Sequence, residues 1–533
     1  MIEYWTAQSR PSSTNGRARI ALPALEPQQV IVVANRQPFS HDYGPDGSIV
    51  VKHAHSGVVH AVEPLVAARS GVWVAQGTGA ADRAVVDSRD GLEVPLGNPA
   101  YRLRRVWLNE EERQGFYEGF ANEGLWPLCH RAYVKPVFRA RDYHSYRMVN
   151  RRFVEAVCAE ATTSSPIVLV QDYHFALAPR LIREHLRRST IAAFWHIPWP
   201  HWRDLEICPW RRELLEGLLG SDLIGFQTSS DCSEFARSTE RFLDASVNYR
   251  EGIIQYGRRR VMVRHYPASI EWPSPWEKTT APAEVCKREI LQALGLPSHV
   301  QLGVSVDRLD YTKGLEEKFA AIECLLERFS ELRDSFAFVQ LAQPTRGRLP
   351  AYRDLRSRVG AAVNRINLRF GSERHKPVIM LEADHEPKDV FRYLRAADVC
   401  FVASLQDGMN LVCKEFVSAH NDDRGVLVLS AFAGAARELE HALLVNPWDV
   451  DATASVLAQA LRMHPREQRH RMRRMRNIVA RRSAHRWAEQ IIYDVRSHAT
   501  HESVPTASRV EPVSSRQHVK VIRFTGRRPD ARS

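Results

Sequence analysis

A rhythm in the chain constrains its fold more than any other feature. Short apolar runs rich in β-branched residues alternate with amphipathic stretches, and most runs end on a polar turn. "QVIVVANR", "GVWVAQG", "PIVLVQDYH", "TIAAFWHIPWP" and "DLIGFQT" read as buried strands. "YRMVNRRFVEAVCAEA", "FALAPRLIREHL" and "RRELLEGLLGS" read as helices between them. This is the cadence of βαβ units and a parallel sheet. The proline-rich "HYPASIEWPSPWEKTTAPAEV" interrupts it near residues 267–285 and reads as a linker. Beyond the linker the cadence restarts with "VQLGVSV", "FAFVQLAQP", "PVIMLEA", "DVCFVAS" and "GVLVLSAF". The expected class is therefore α/β, with two parallel-sheet halves over residues 29–267 and 268–482. Residues 1–28 read as a disordered arm and 498–533 as a disordered basic tail.

At 533 residues the chain is too long for one core, and 44% hydrophobic residues make it globular. It has no apolar run long enough to span a bilayer and no signal-peptide pattern at its start, which points to the cytoplasm. Eight scattered cysteines without a CxxC pair suggest neither a disulfide framework nor a zinc knuckle. The net charge of +12 asks for an anionic partner. Much of it sits in "MHPREQRHRMRRMRNIVARRSAHRW", whose helical spacing of Met, Ile and Val reads as a solvated basic face. Without an RNA-module signature, helix-turn-helix or zinc-finger pattern, nucleic acid is disfavoured.

Ligands on open parallel sheets bind outside the carboxyl ends of the strands. The residues that matter are those just past the runs: Arg36, Asp172, His174, His196, Gln227, Arg308, Arg346 and the group around Asp407. "GTGAAD" at 77–82 is an ordinary glycine turn rather than a dinucleotide fingerprint. "FAGAAREL" at 432–439 permits close backbone approach or good helix packing. "HAHSGVVH" offers three histidines but no nearby carboxylate or cysteine, so metal is disfavoured, and Gly57 there could let backbone approach a ligand. Asp172 and His196, beside an aromatic, proline-stiffened loop, suit a sugar. In "LQDGMNLVCKEF" a turn opens directly into a helix, where free N–H groups favour an anion. "DRLDYTKG" places Arg308 and Lys313 in another short strand-to-helix turn.

Taken together, "VANR", "GFYEGFANEGLWP", "QDYH", "FWHIPWP", "GFQT", "DRLDYTKG", "QPTRG", "DGMNLVCKEF" and "VLSAFAGAARELEHALLVNPWD" resemble the trehalose-6-phosphate synthase family of retaining glycosyltransferases. The similarity covers about residues 29–497. It implies the GT-B architecture: two Rossmann-like domains facing a cleft, with a helix over 483–497 crossing back to the first. It implies transfer of glucose from a nucleotide sugar, UDP-glucose or GDP-glucose, to glucose 6-phosphate.

Carried over by motif, the resemblance implies that Arg308 and Lys313 bind the donor diphosphate and that Glu415 holds the ribose. Asp407, Gly408, Met409 and Asn410 would hold the donor sugar, and the Leu411 and Val412 amides the phosphates. Gly57 and His196 would contact the donor. Arg36, Tyr117, Trp126, Asp172 and Arg346 would form the acceptor pocket. Asp172, His196, Arg308 and Lys313 would carry the chemistry, with no metal and no cofactor. The chain departs from the family pattern at Val58, Ser269 and Gln406, the last removing a charge near the donor sugar. A transferase for another phosphorylated acceptor and a catalytically silent sugar-phosphate sensor are the alternatives. Homo-oligomerisation is left open.

Overall fold

The computed structural model describes residues 28–54, 57–95, 97–373 and 375–502. The expected N-terminal arm, and the tail beyond 502, lie outside them. The strands are β1 (Val30–Val33), β2 (Phe39–Tyr43), β3 (Ile49–His53), β4 (Val72–Gln76), β5 (Gly91–Val94), β6 (Tyr101–Val106), β7 (Ile167–Gln171), β8 (Thr190–Phe194) and β9 (Leu223–Phe226). They continue as β10 (Ala245–Asn248), β11 (Ile253–Tyr256), β12 (Arg259–His265), β13 (Gln301–Arg308), β14 (Phe336–Gln343), β15 (Val378–Glu382), β16 (Val399–Val402), β17 (Val426–Ser430) and β18 (Leu443–Val445).

Two large sheets result. The first has the order β10-β11-β12-β9-β8-β7-β1-β4-β6-β5, and the second β15-β14-β13-β16-β17-β18. The second is parallel throughout. In the first, β12 through β6 are parallel, and antiparallel strands occupy the edges. Strands such as β1 (VIVV), β7 (IVLVQ) and β17 (VLVLS) are buried at every position. Helices cover both faces of a parallel sheet, so its strands read as continuous apolar runs rather than alternating ones.

Strand order reverses at β1/β7 in the first sheet and at β13/β16 in the second. These switch points are where a crevice opens outside the strand ends. Arg36 and Asp172 follow β1 and β7, while Arg308 ends β13 and Asp407 follows β16.

The last helix, Ala484–Glu502, runs past the expected end at 497 and belongs to the first half's core. Trp487 packs edge-on against Phe194 at 5.0 Å, and its Nε1 donates to Tyr266 O at 2.9 Å. The Tyr266 hydroxyl donates to Asp494 Oδ2 at 2.9 Å. The helix therefore crosses back and docks on β8. The basic helix Pro465–Arg481 turns Met472, Met475 and Val479 inward and leaves Arg466, His470, Arg473 and Arg474 in solvent. Among the described residues no helix is long and apolar enough to cross a membrane.

Some elements escaped the sequence pattern. The hairpin β2–β3, the edge strands β5 and β10, and β11 and β12 lack the continuous buried apolar run of the central strands, being brief, exposed or broken by polar residues. Residues Gln114–Leu125 form a π-helical segment that keeps Phe116 and Phe120 in the core while Tyr117 lines the cleft. Such wide turns recur at functional sites.

Candidate active site

The carboxyl ends of the two sheets face each other across a cavity of about 1100 Å³. The first half contributes Arg36, Tyr117 and His196 to its wall. The second contributes Arg308 and Lys313, with Asp407, Met409, Asn410, Leu411, Val412 and Glu415 from the turn and helix after β16. Pockets that take one drug-sized ligand span roughly 300–1,000 Å³. The cleft lies at the upper end of that range.

The DGMN turn is held from both sides. Asp407 N donates to Phe432 O at 3.2 Å, and Gly434 N to Asp407 O at 3.0 Å. A Cβ on Gly434 would stand 1.9 Å from Gly408 O, so the glycine of "FAGAA" serves close backbone approach. Gly408 itself sits against the opposite half, where a Cβ would lie 2.3 Å from His196 O. Asn410 adopts φ 77°, and its Oδ1 accepts from Cys413 N at 3.2 Å. The amides of Leu411 and Val412 have no acceptor among the described residues, so the start of the helix Val412–Ala419 keeps free donors.

The cations differ in how far they are neutralised. Lys313 Nζ is ion-paired with Asp407 Oδ2. Burial pushes the Asp407 carboxyl up, but the Lys313 ammonium outweighs it and holds the group below its usual range. Arg308 and Arg36 form no ion pair among the described residues. Arg308 lies 5.1 Å over the Trp126 ring. Burial would raise the Tyr117 hydroxyl, yet the guanidinium groups of Arg346, Arg36 and Arg308 lower it.

Trp126 and Arg346, expected in the acceptor pocket, are set behind the wall. The Arg346 side chain is only 4% exposed, pairs with Asp310 Oδ2 at 2.9 Å and lies 4.0 Å over the Trp126 ring. Asp310 is fully buried, so it draws a compensating cation inward. Trp126 Nε1 donates to the other Asp310 oxygen at 3.4 Å. This layer carries Arg308 on its outer side. Gly57 begins the helix Gly57–Ala67, while His53 and Ala54 of the preceding strand end line the cavity. His53 meets Glu63 at 2.9 Å.

Asp172 sits beside His196, its side chain 23% exposed. Its Oδ1 accepts from Tyr173 N at 3.0 Å and from His196 N at 3.2 Å. Its backbone has φ 74° and ψ 169°, a region that glycine favours. Such a conformation costs about 1–3 kcal/mol and persists where surroundings enforce it, commonly at functional sites. Burial raises its carboxyl to about 6, and burial lowers the His196 imidazole to about 3. His196 is thus neutral at physiological pH.

Burial raises Glu415 to about 7. An acid whose folded value exceeds its unfolded one binds more protons when folded, so stability falls as pH rises from about 4.5 to 7. Asp172 and Asp231, both raised to about 6, act in the same direction. Glu415→Gln is expected to flatten the upper part of this fall, read as the melting temperature of the ligand-free protein between pH 5 and 8. An unchanged slope would remove Glu415 from that role.

Asp310 and Gln171 were present in the quoted motifs yet carried no expected role. What marks them is their partner, Arg346 for one and His196 for the other, and neither partner is adjacent in sequence. Of the departures, Ser269 is 2% exposed at the cavity edge with its hydroxyl unpartnered, and Gln406 is half-buried away from the wall.

The family model for glycosyltransferase family 20 matches residues 28–497. The chain is similar to the trehalose-6-phosphate synthase of Mycobacterium avium (strain 104), 38% identical over 471 residues, covering 87% of this chain and 94% of that one. Among solved structures it is similar to one described as trehalose-6-phosphate from E. coli bound with UDP-2-fluoro glucose. That match has a TM-score of 0.78 and 30% identity, over 88% of this chain and 99% of the other. It is also similar to an alpha,alpha-trehalose-phosphate synthase (UDP-forming) from Burkholderia xenovorans in complex with glucose-6-phosphate. Here the TM-score is 0.76 and the identity 31%, over 88% of this chain and 100% of the other.

Proposed function

Because the chain belongs to glycosyltransferase family 20, we propose that the cleft between its two sheets moves glucose from UDP-glucose to glucose 6-phosphate. The protein is a GT-B hexosyltransferase that makes trehalose 6-phosphate. The observation that carries the assignment of roles is Arg308. Among the described residues it is a cation without an ion pair, at a topological switch point, in a cavity shared with the free amides of a helix start.

The donor diphosphate lies against Arg308 and the Leu411 and Val412 amides, which stabilise charge as it develops on the leaving group. Lys313 joins them by exchanging Asp407 for phosphate oxygens. Glu415, one turn into the helix, takes the ribose hydroxyls. Asp407, Gly408, Met409 and Asn410 hold the donor sugar with His196, and Gly57 contacts the donor. Arg36 and Tyr117 take the acceptor phosphate, supported from behind by Arg346 and Trp126. Asp172 orients the acceptor, its carboxylate accepting from the His196 backbone amide of the neighbouring strand end. The bond from the glucose anomeric carbon to the diphosphate breaks, and the bond to the acceptor oxygen forms on the same face. The acceptor's proton passes to the departing diphosphate. A trapped covalent glycosyl-enzyme would overturn this route.

The substrates are multiply charged and do not cross bilayers unaided, which supports a cytoplasmic location.

Offering UDP-, GDP- and ADP-glucose with glucose 6-phosphate tests the reading. Trehalose 6-phosphate and free nucleoside diphosphate should appear in equal amounts, fastest from UDP-glucose. Diphosphate release without disaccharide would point to another acceptor. Binding without turnover would point to a sensor.

A further inference from the structure

His196 lines the cavity, and its Nε2 lies 2.9 Å from Gln171 Oε1. The contact follows from the sheet. Gln171 ends β7 opposite Phe194 of β8, and His196 comes two residues later on the same face. Gln171 is 5% exposed, so its side chain cannot leave for solvent. The other ring nitrogen, Nδ1, has no partner among the described residues. The ring is otherwise wedged between Phe194, with centroids 4.4 Å apart, and Trp487 of the last helix, at 6.3 Å.

We propose that Gln171 is a positioning residue that holds His196 as the Nε2–H tautomer, leaving Nδ1 as a fixed acceptor for a hydroxyl of the donor sugar. An amide oxygen only accepts, so the ring nitrogen meeting it must donate. A neutral imidazole has one N–H, so the second nitrogen then carries a lone pair. Burial keeps the ring neutral, which makes the tautomer the remaining variable. The charged and titratable groups around the ring are Asp172 and His174 beyond β7 and the Lys313–Asp407 pair across the cleft. From the last helix the ring meets Trp487 rather than a charge. None of the charged side chains hydrogen-bonds the ring, and the Asp172 carboxylate engages the His196 backbone amide instead. The inference rests on the transferase reading, which places the donor sugar at His196.

Gln171→Met keeps the length and removes the acceptor. Long-range nitrogen–proton spectra of histidine-labelled protein report the tautomer without any turnover, with the His196 signal assigned by its loss in His196→Phe. The expected result is an Nε2–H ring in the wild type and a mixture in Gln171→Met. Its kcat should fall about tenfold with the KM for glucose 6-phosphate within twofold. Gln171→Glu retains an acceptor and should keep the Nε2–H form, but its carboxylate raises the imidazole pKa. Its rate should gain an acid-side fall absent from the wild type. A wild-type ring in the Nδ1–H form, or a Gln171→Met enzyme within twofold of the wild-type kcat, would overturn the proposal. A wild type that makes no trehalose 6-phosphate overturns the transferase reading instead, and the nitrogen spectra still decide the tautomer.

Discussion

Arg308→Ala is expected to lower kcat at least about a hundredfold while shifting the melting temperature little. The two outcomes follow from one fact: the guanidinium is half-buried and, among the described residues, has no ion pair to break. Its removal leaves no carboxylate stranded, so folding barely registers the change. The departing diphosphate, in contrast, loses a cavity guanidinium that has no protein carboxylate to satisfy among the described residues. Arg346→Ala provides the opposite case. There the buried Asp310 carboxylate would lose its cation, a change worth about 3–5 kcal/mol of stability. Steady-state kinetics and thermal melts on the pair separate the roles. An Arg308→Ala enzyme within threefold of the wild-type kcat would remove Arg308 from leaving-group stabilisation.

Gly408→Ala is expected to reduce turnover by a similar factor through a single methyl group. A Cβ there would stand 2.3 Å from His196 O, a backbone atom of the opposite half. Backbone cannot rotate aside as a long side chain does, so the DGMN turn must retreat or the halves must part. Either shift is of the order of 1 Å, and misplacement of that size costs about a hundredfold in rate. Gly434 closes the other escape, because it already touches Gly408 O from behind. The measurement is kcat together with the affinity for nucleoside diphosphate. Wild-type values for both would mean that the contact between turn and His196 loop is absent in the working enzyme.

The two-sheet plan was legible because parallel strands buried on both faces leave long β-branched runs, and β1, β7, β13 and β17 all show them. The strands β3 and β10 had no such signature, since no residue of either is buried, and β2 is too polar to show one. The wall of the site was legible for a related reason. Residues just past parallel strands converge at switch points, which is how Arg36, Arg308 and Asp407 could be placed. What lies behind the wall was not. Arg346 looks like a phosphate ligand in "QPTRG", and only the buried carboxylate of Asp310 explains why it faces inward. Lys313 likewise reads as a free cation until Asp407 is seen beside it. Charge pairing between distant segments leaves no trace in local pattern.

The docking of the last helix on β8 sets an order on synthesis. Ala484, Trp487, Ala488, Ile491, Ile492 and Val495 fill the same core as Val30, Val32 and Phe194. A nascent chain that has finished the first half still lacks that layer, and the second half must be translated before it arrives. At about 5–20 residues per second this wait lasts tens of seconds. Through that interval the apolar face around Phe194 stands open to water, to other nascent chains and to chaperones. The half that is made first is therefore the half that is completed last, and a ribosome stalled before Trp487 would release a protein with an uncovered seam.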